Sequence, residues 1–210
     1  MKSKYHIEIT KKVLSNYFSQ EALQTILMAN VFQDRIRNQL GRHYIHFDSN
    51  AFEEGMEYIR EQEEIIHVAL LSSDFATARK ALGRICHSWQ DFYSHSNYVR
   101  LLVDREESFP PTEIDHDNPQ IMTSAKLRSG KNYGLFDFLA IIPGLGKIVT
   151  PLMPEDSHAK MNLDSPKSSE LFKYAYQAAL QRTKVFFSEL IERLRSRNIS
   201  DKKIKGFMGQ

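Results

Sequence analysis

His87-Ser88-Trp89-Gln90-Asp91-Phe92-Tyr93-Ser94-His95 reads as a ladder of ligand-type residues inside an apolar and aromatic helix. Each four-residue step of an α-helix turns about 40° past a full turn, so His87, Asp91 and His95 share one face within roughly 80°. Burying a carboxylate and two imidazoles without partners is costly. Two arrangements answer that cost: a metal ion, or a His–Asp–His hydrogen-bond network without metal. Either one predicts a helical core built around a polar seam.

Working outward, Asp74 is placed to cap the ladder helix, which runs through Ala78, Leu82, Ile85, Trp89, Phe92 and Val99 to about Leu102. Upstream, Ile9, Val13, Leu14 and Phe18 recur at helical spacing, as do Leu23, Ile26, Leu27 and Phe32. Ser49 is placed to cap a long helix carrying Phe52, Met56, Ile59 and Ile66. Residues 104–130 hold Pro110, Pro111 and Pro119 and read as loop with a short helix near 118–127. Ser168 or Ser169 opens a final helix to about Arg197. The expected fold is all-α, a multi-helix single domain over residues 1–200 followed by a flexible tail, 201–210.

Length and composition agree with that expectation. A chain of 210 residues suits one domain that buries about 70% of its unfolded surface. The net charge of +2 gives no electrostatic case for a nucleic-acid partner. A single cysteine, Cys86, excludes an intrachain disulfide framework. The first residues lack an apolar stretch of signal-peptide length, so the expected location is cytoplasmic, with a signal-less secretion route as the alternative.

The remaining ligand-type residues extend the ladder. His6 lies at the start of the first helix, and Asp34 at the end of the second. His46 stands in His-Phe-Asp, two residues before Asp48, which reads equally as a helix cap, an outer hydrogen-bond acceptor for His46, or a ligand. His158 precedes Asn162-Leu163-Asp164-Ser165-Pro166 in a loop. Zinc accepts both imidazole nitrogen and carboxylate oxygen, so these residues can supply more than one ion. His43, His67 and His116 read as structural or solvated, and Trp89, Phe92 and Tyr93 as core.

The stretch from Ala81 to Val99, Ala-Leu-Gly-Arg-Ile-Cys-His-Ser-Trp-Gln-Asp-Phe-Tyr-Ser-His-Ser-Asn-Tyr-Val, resembles the core motif of the Het-C (heterokaryon incompatibility) family. His6 to Thr10, His46 to Asp48 and Asn162 to Pro166 resemble further motifs of that family, in the same order over residues 6–166. Het-C proteins are similar to zinc-dependent phospholipases C and fungal single-strand nucleases. The resemblance therefore implies a phospholipase C-like helical domain with a buried cluster of two or three zinc ions. It implies a ligand set of His6, Asp34, His46, His87, Asp91, His95 and His158. Asp91 would bridge two ions, one completed by Asp34, His46 and His87 and the other by His6. His95 and His158 would hold a third ion. Those enzymes also use an N-terminal amine and a final Glu; here Met1 lies five residues before His6, and the Glu position falls at Asn162, with Asp164 as the substitute.

The implied function is zinc-dependent phosphodiester hydrolysis, with phospholipid as the favoured substrate and Asp34 orienting the attacking water or serving as a ligand. Arg42 and Lys160 are candidate phosphate contacts, or simply solvated charges. The alternative is a non-catalytic Het-C-type protein with structural metal, engaging membranes or partners in cell death or antagonism, as a toxin would. A single-strand nuclease is less favoured, since no basic groove with interleaved aromatics is evident. Residues 134–149 form an apolar island that Pro143 breaks and that is too short to span a bilayer. It reads either as a buried irregular loop or as a membrane-docking flap inserting Phe136, Leu139, Ile141 and Ile142.

Overall fold

The computed structural model describes residues 1–35, 38, 41–105, 109–134, 136, 139 and 144–210. Among these residues the fold is all-α, with two isolated bridges, Ser96 to Ser129 and Lys131 to Ser157, in place of any sheet. The helices are α1 (Ser3–Leu14), α2 (Gln20–Val31), α3 (Phe52–Leu71), α4 (Phe75–His95), α5 (Tyr98–Val103), α6 (Pro119–Met122), α7 (Gly146–Leu152), α8 (His158–Met161), α9 (Phe172–Ser196) and α10 (Asp201–Met208).

The ladder helix is the centre of the molecule. Every residue from Ile85 to His95 is buried, and α4 packs against α2, α3 and α9. A helix covered on all sides belongs in a core and not on its surface. Asp74 caps it as the sequence predicts, accepting a hydrogen bond from the Thr77 amide at 3.0 Å. Gly83 sets the approach of α2: a Cβ there would meet the Ile26 carbonyl oxygen at 2.3 Å and Asn30 N at 3.0 Å. On another face, Phe92 touches the Phe47, Trp89, Tyr93 and Tyr98 rings. The Tyr93 and Tyr98 hydroxyls donate to the carbonyls of His116 and Asp115 and pin the loop before α6.

Several boundaries differ from expectation. The ladder helix ends at His95, not near Leu102, because Ser96 is extended and tertiary bonds take its last carbonyls. Leu163 N donates to Ser94 O at 2.7 Å, and Gly130 N to His95 O at 3.1 Å. Ser49 does not cap α3, whose N-cap is Ala51; its hydroxyl accepts from Asn132 N instead. The segment expected as a flexible tail forms α10, which buries Ile204 and Phe207 against the core. Within the apolar island, Ile141, Ile142 and Pro143 lie outside the described residues. Phe136 is exposed, and α7 carries the exposed Ile148 and Leu152. Among the described residues no helix is long and apolar enough to cross a membrane.

Two substitutions test this packing. Gly83→Ala is expected to force α2 off α4 and lower unfolding free energy in urea by about 1–3 kcal/mol; an unchanged midpoint would mean the helices are not in contact there. Phe207→Ala should cost about 3 kcal/mol by leaving a cavity under α10, whereas an undocked tail would show no loss.

Candidate metal centre

Asp91 projects from the middle of α4 with no solvent exposure. Its two oxygens face different nitrogen donors. Oδ2 lies 2.8 Å from His46 Nδ1 and 2.9 Å from His87 Nε2. Oδ1 lies 3.1 Å from His6 Nε2 and 3.6 Å from His95 Nε2, and it accepts from the Met1 amine. Asp34 stands at the partly exposed edge, 3.7 Å from His87 Nε2, its other oxygen accepting from Ser3 Oγ at 2.6 Å. Donor atoms of His6, Asp34, His87 and Asp91 all fall within 4.8 Å of one another.

Behind this layer lies a second one of buried amides and hydroxyls. His6 Nδ1 donates to Gln90 Oε1 at 2.7 Å, and His87 Nδ1 to Asn30 Oδ1 at 3.2 Å. Gln90 Nε2 in turn donates to Thr10 and Thr183, and Asn30 Nδ2 to Thr10 and Gln90. A carbonyl acceptor on the outer nitrogen puts the proton there, which leaves the inner Nε2 of each ring as a lone pair. Both lone pairs then face the Asp91 carboxylate. Such an arrangement repels itself unless a cation sits among the groups, and imidazole nitrogen with carboxylate oxygen is a donor set that zinc accepts. His46 Nε2, also buried, has no hydrogen-bond partner. The residues fit a metal ion.

A second group forms where the chain turns between His43 and Asn50. Phe47, Ser49 and Asn50 all have positive φ, near 56–62°, a left-handed conformation that costs a non-glycine residue about 1 kcal/mol or more. The turn is tied to residues 129–132: Ser49 N donates to Gly130 O, Asn50 N to Ser129 Oγ, and Ser129 N to Asn50 Oδ1. It aims Asp48 inward, where Oδ1 lies 2.9 Å from His158 Nδ1 and 3.2 Å from His95 Nδ1. Asp48 is thus neither a helix cap nor an acceptor for His46. Asp164 lies on the other side of His95, 3.3 Å from Nε2 and 3.0 Å from the Met1 amine. Asn162 is turned away, donating to the carbonyls of His158 and Ala159.

Electrostatics follow from this crowding. Burial favours the neutral form of His87 and, despite Asp91 beside it, takes its pKa down to about 4. For His95 burial acts the same way, but Asp91 and Asp48 outweigh it and push the value up to about 10. The Met1 amine is likewise buried, yet Asp164 and Asp91 raise it to about 11. Burial would raise Asp91 and Asp48, but the surrounding cations hold both carboxylates well below their usual range. The Met1 amine and His95 thus supply positive charge beside these carboxylates.

The structure brings His6, Asp34, His46, His87, Asp91 and His95 together, with Asp164 beside His95 and His158 across Asp48. Two parts of the site escaped sequence reading, the Thr10–Asn30–Gln90–Thr183 layer and the orientation of Asp48. The N-terminal amine that the resemblance implied is found on Asp91 and Asp164, although Met1 lies five residues before His6. Gln90 left one signal, a polar residue beside the ladder on a helix buried all round. Lys160 pairs with Glu155 on the surface, and His43 with Asn132.

Residues 3–108 match the VWA7 N-terminal domain family. Among similar curated proteins are von Willebrand factor A domain-containing protein 7 of rat and of human, 34% and 35% identical over 80 residues. Those residues are 38% of this chain but 9% of each relative, so the chain spans a small part of the relatives' length. No solved structure matches the chain. The resemblance to Het-C is overturned: the 81–99 segment that carried it lies inside the VWA7 match. The toxin reading, which rested on that resemblance, falls with it, and neither the family's description nor the relatives' names speak of hydrolysis. With the match extending over half its length, the chain belongs to the VWA7 N-terminal domain family.

Proposed function

We propose that this chain is a zinc-binding domain whose buried donors, with Asp91 at their centre, would hold two zinc ions and serve the cleavage of phosphodiester bonds. The support is the division of that carboxylate: Oδ2 faces His46 and His87, while Oδ1 faces His6 and His95. Asp34 completes the first set at the solvent edge, and Gln90 and Asn30 hold the His6 and His87 rings with their lone pairs inward. Bound zinc would supply Lewis-acid stabilisation of phosphoryl oxygens and a water that ionises near neutral pH. Asp34, partly exposed and beside His87, would orient the attacking water if it does not itself serve as a ligand. Phospholipid is the first substrate to try, because exposed Ile148 and Leu152 precede the segment that leads to His158. Complete burial of His6, His87 and Asp91 favours a second reading, a centre that only holds the helices together.

Elemental analysis of the purified protein should find more than one zinc per chain, and Asp91→Ala should lose it; a metal-free wild type reloaded without uptake would sink the proposal. With zinc bound, a panel of phospholipid and nucleotide diesters separates the readings: turnover lost in Asp34→Asn supports cleavage. No turnover, with chelator sharply lowering the melting temperature, leaves the structural centre. Gln90→Ala frees the His6 ring and should weaken zinc affinity by about 10–100-fold, measured by competition with a chelating dye.

A further inference from the structure

We infer that Asp48 is a positioning residue, the outer carboxylate that fixes the His95 ring with its Nε2 turned toward the zinc-binding centre at Asp91. His95 Nδ1 has two neighbours, the His46 carbonyl oxygen and Asp48 Oδ1, each at 3.2 Å. Both are acceptors, so Nδ1 carries the proton and donates to them. Nε2 is then the nitrogen left for a metal, and it faces Asp91 Oδ1 at 3.6 Å and Asp164 Oδ1 at 3.3 Å. His6 and His87 show the same division, with Gln90 and Asn30 as their outer acceptors. Asp48 differs from those amides in bringing a full negative charge, which makes the ring a more basic ligand. It is buried, so water does not compete for the bond.

His158 meets the same oxygen from another side, its Nδ1 donating to Asp48 Oδ1 at 2.9 Å. Its ring stands edge to face with the His95 ring, centroids 4.5 Å apart. Each Nδ1 is engaged with Asp48, and His158 acts as a wall that keeps the carboxylate against His95. One strap of backbone holds all three residues. Gly130 N donates to His95 O, Ser49 N to Gly130 O, and His158 N to Lys131 O. Gly130 fits against His158 so closely that a Cβ would lie 2.6 Å from its Cα. This role for Asp48 rests on the zinc-binding reading of the Asp91 centre and not on cleavage of any substrate.

Competition with a chelating dye tests it in the full chain reloaded with zinc. Asp48→Ala should weaken zinc binding by about 10–100-fold without lowering the number of ions bound. Asp48→Asn, which keeps an acceptor of the same shape, should lose less. Proton NMR of the zinc-loaded, nitrogen-15 histidine-labelled protein gives a reading that a merely structural residue would not move. In wild type the His95 Nδ1 proton should lie far downfield, as a proton held by a carboxylate does, and Asp48→Asn should shift it upfield. If Asp48→Ala does not fold, that shift in Asp48→Asn still decides. Wild-type affinity in Asp48→Ala, or an unmoved proton in Asp48→Asn, overturns the role. Loss of a whole equivalent in Asp48→Ala also overturns it, since Asp48 would then be a ligand. A wild type that binds no zinc overturns the Asp91 centre itself.

Discussion

A carboxylate without water must find positive charge, and Asp91 is that carboxylate here. Its position in the middle of a helix covered on every side means that neighbouring elements must bring nitrogen to it. α1 contributes His6, the turn before α3 contributes His46, and α4 itself contributes His87 and His95 one turn either way. The outer hydrogen bonds of these rings then require Gln90, Asn30, Thr10 and Thr183. Much of what is polar in this core thus traces to one buried charge.

The helices were legible because apolar residues recur at helical spacing, and Asp74 announced its cap by chemistry that acts locally. The ladder was legible for the same reason: four-residue spacing on a helix is geometry. What stayed hidden depends on distant parts of the chain. The end of α4 at His95 is set by amides of Gly130 and Leu163, far downstream. Asp48 points inward because three non-glycine residues adopt left-handed backbone, and of these Asn50 alone is a type that favours it. The docking of α10 rests on Ile204 and Phe207, with Met208 beside them, in a stretch where Asp201, Lys202, Lys203 and Lys205 are charged, so the apolar residues are too few to signal burial by themselves.

The mistaken family resemblance has a physical explanation as well. His-x3-Asp-x3-His puts three ligand-type side chains on one face of any helix, whatever its ancestry. Motif spacing therefore carried information about geometry while misleading about descent. The matched region supplies His6, Asp34, His46, Asp48, His87, Asp91 and His95, whereas His158 and Asp164 lie beyond it.

That division gives the strap at 129–132 a meaning of its own. It ties the turn around Asp48, inside the family match, to His158, outside it, through Ser129, Gly130 and Lys131. A module boundary drawn at the end of the match would keep the inner basin of donors but strip off its shoreline. A chain sharing only the first half would keep the buried carboxylate but meet solvent through a different rim, with nothing from 129 onward to hold the Asp48 turn in place.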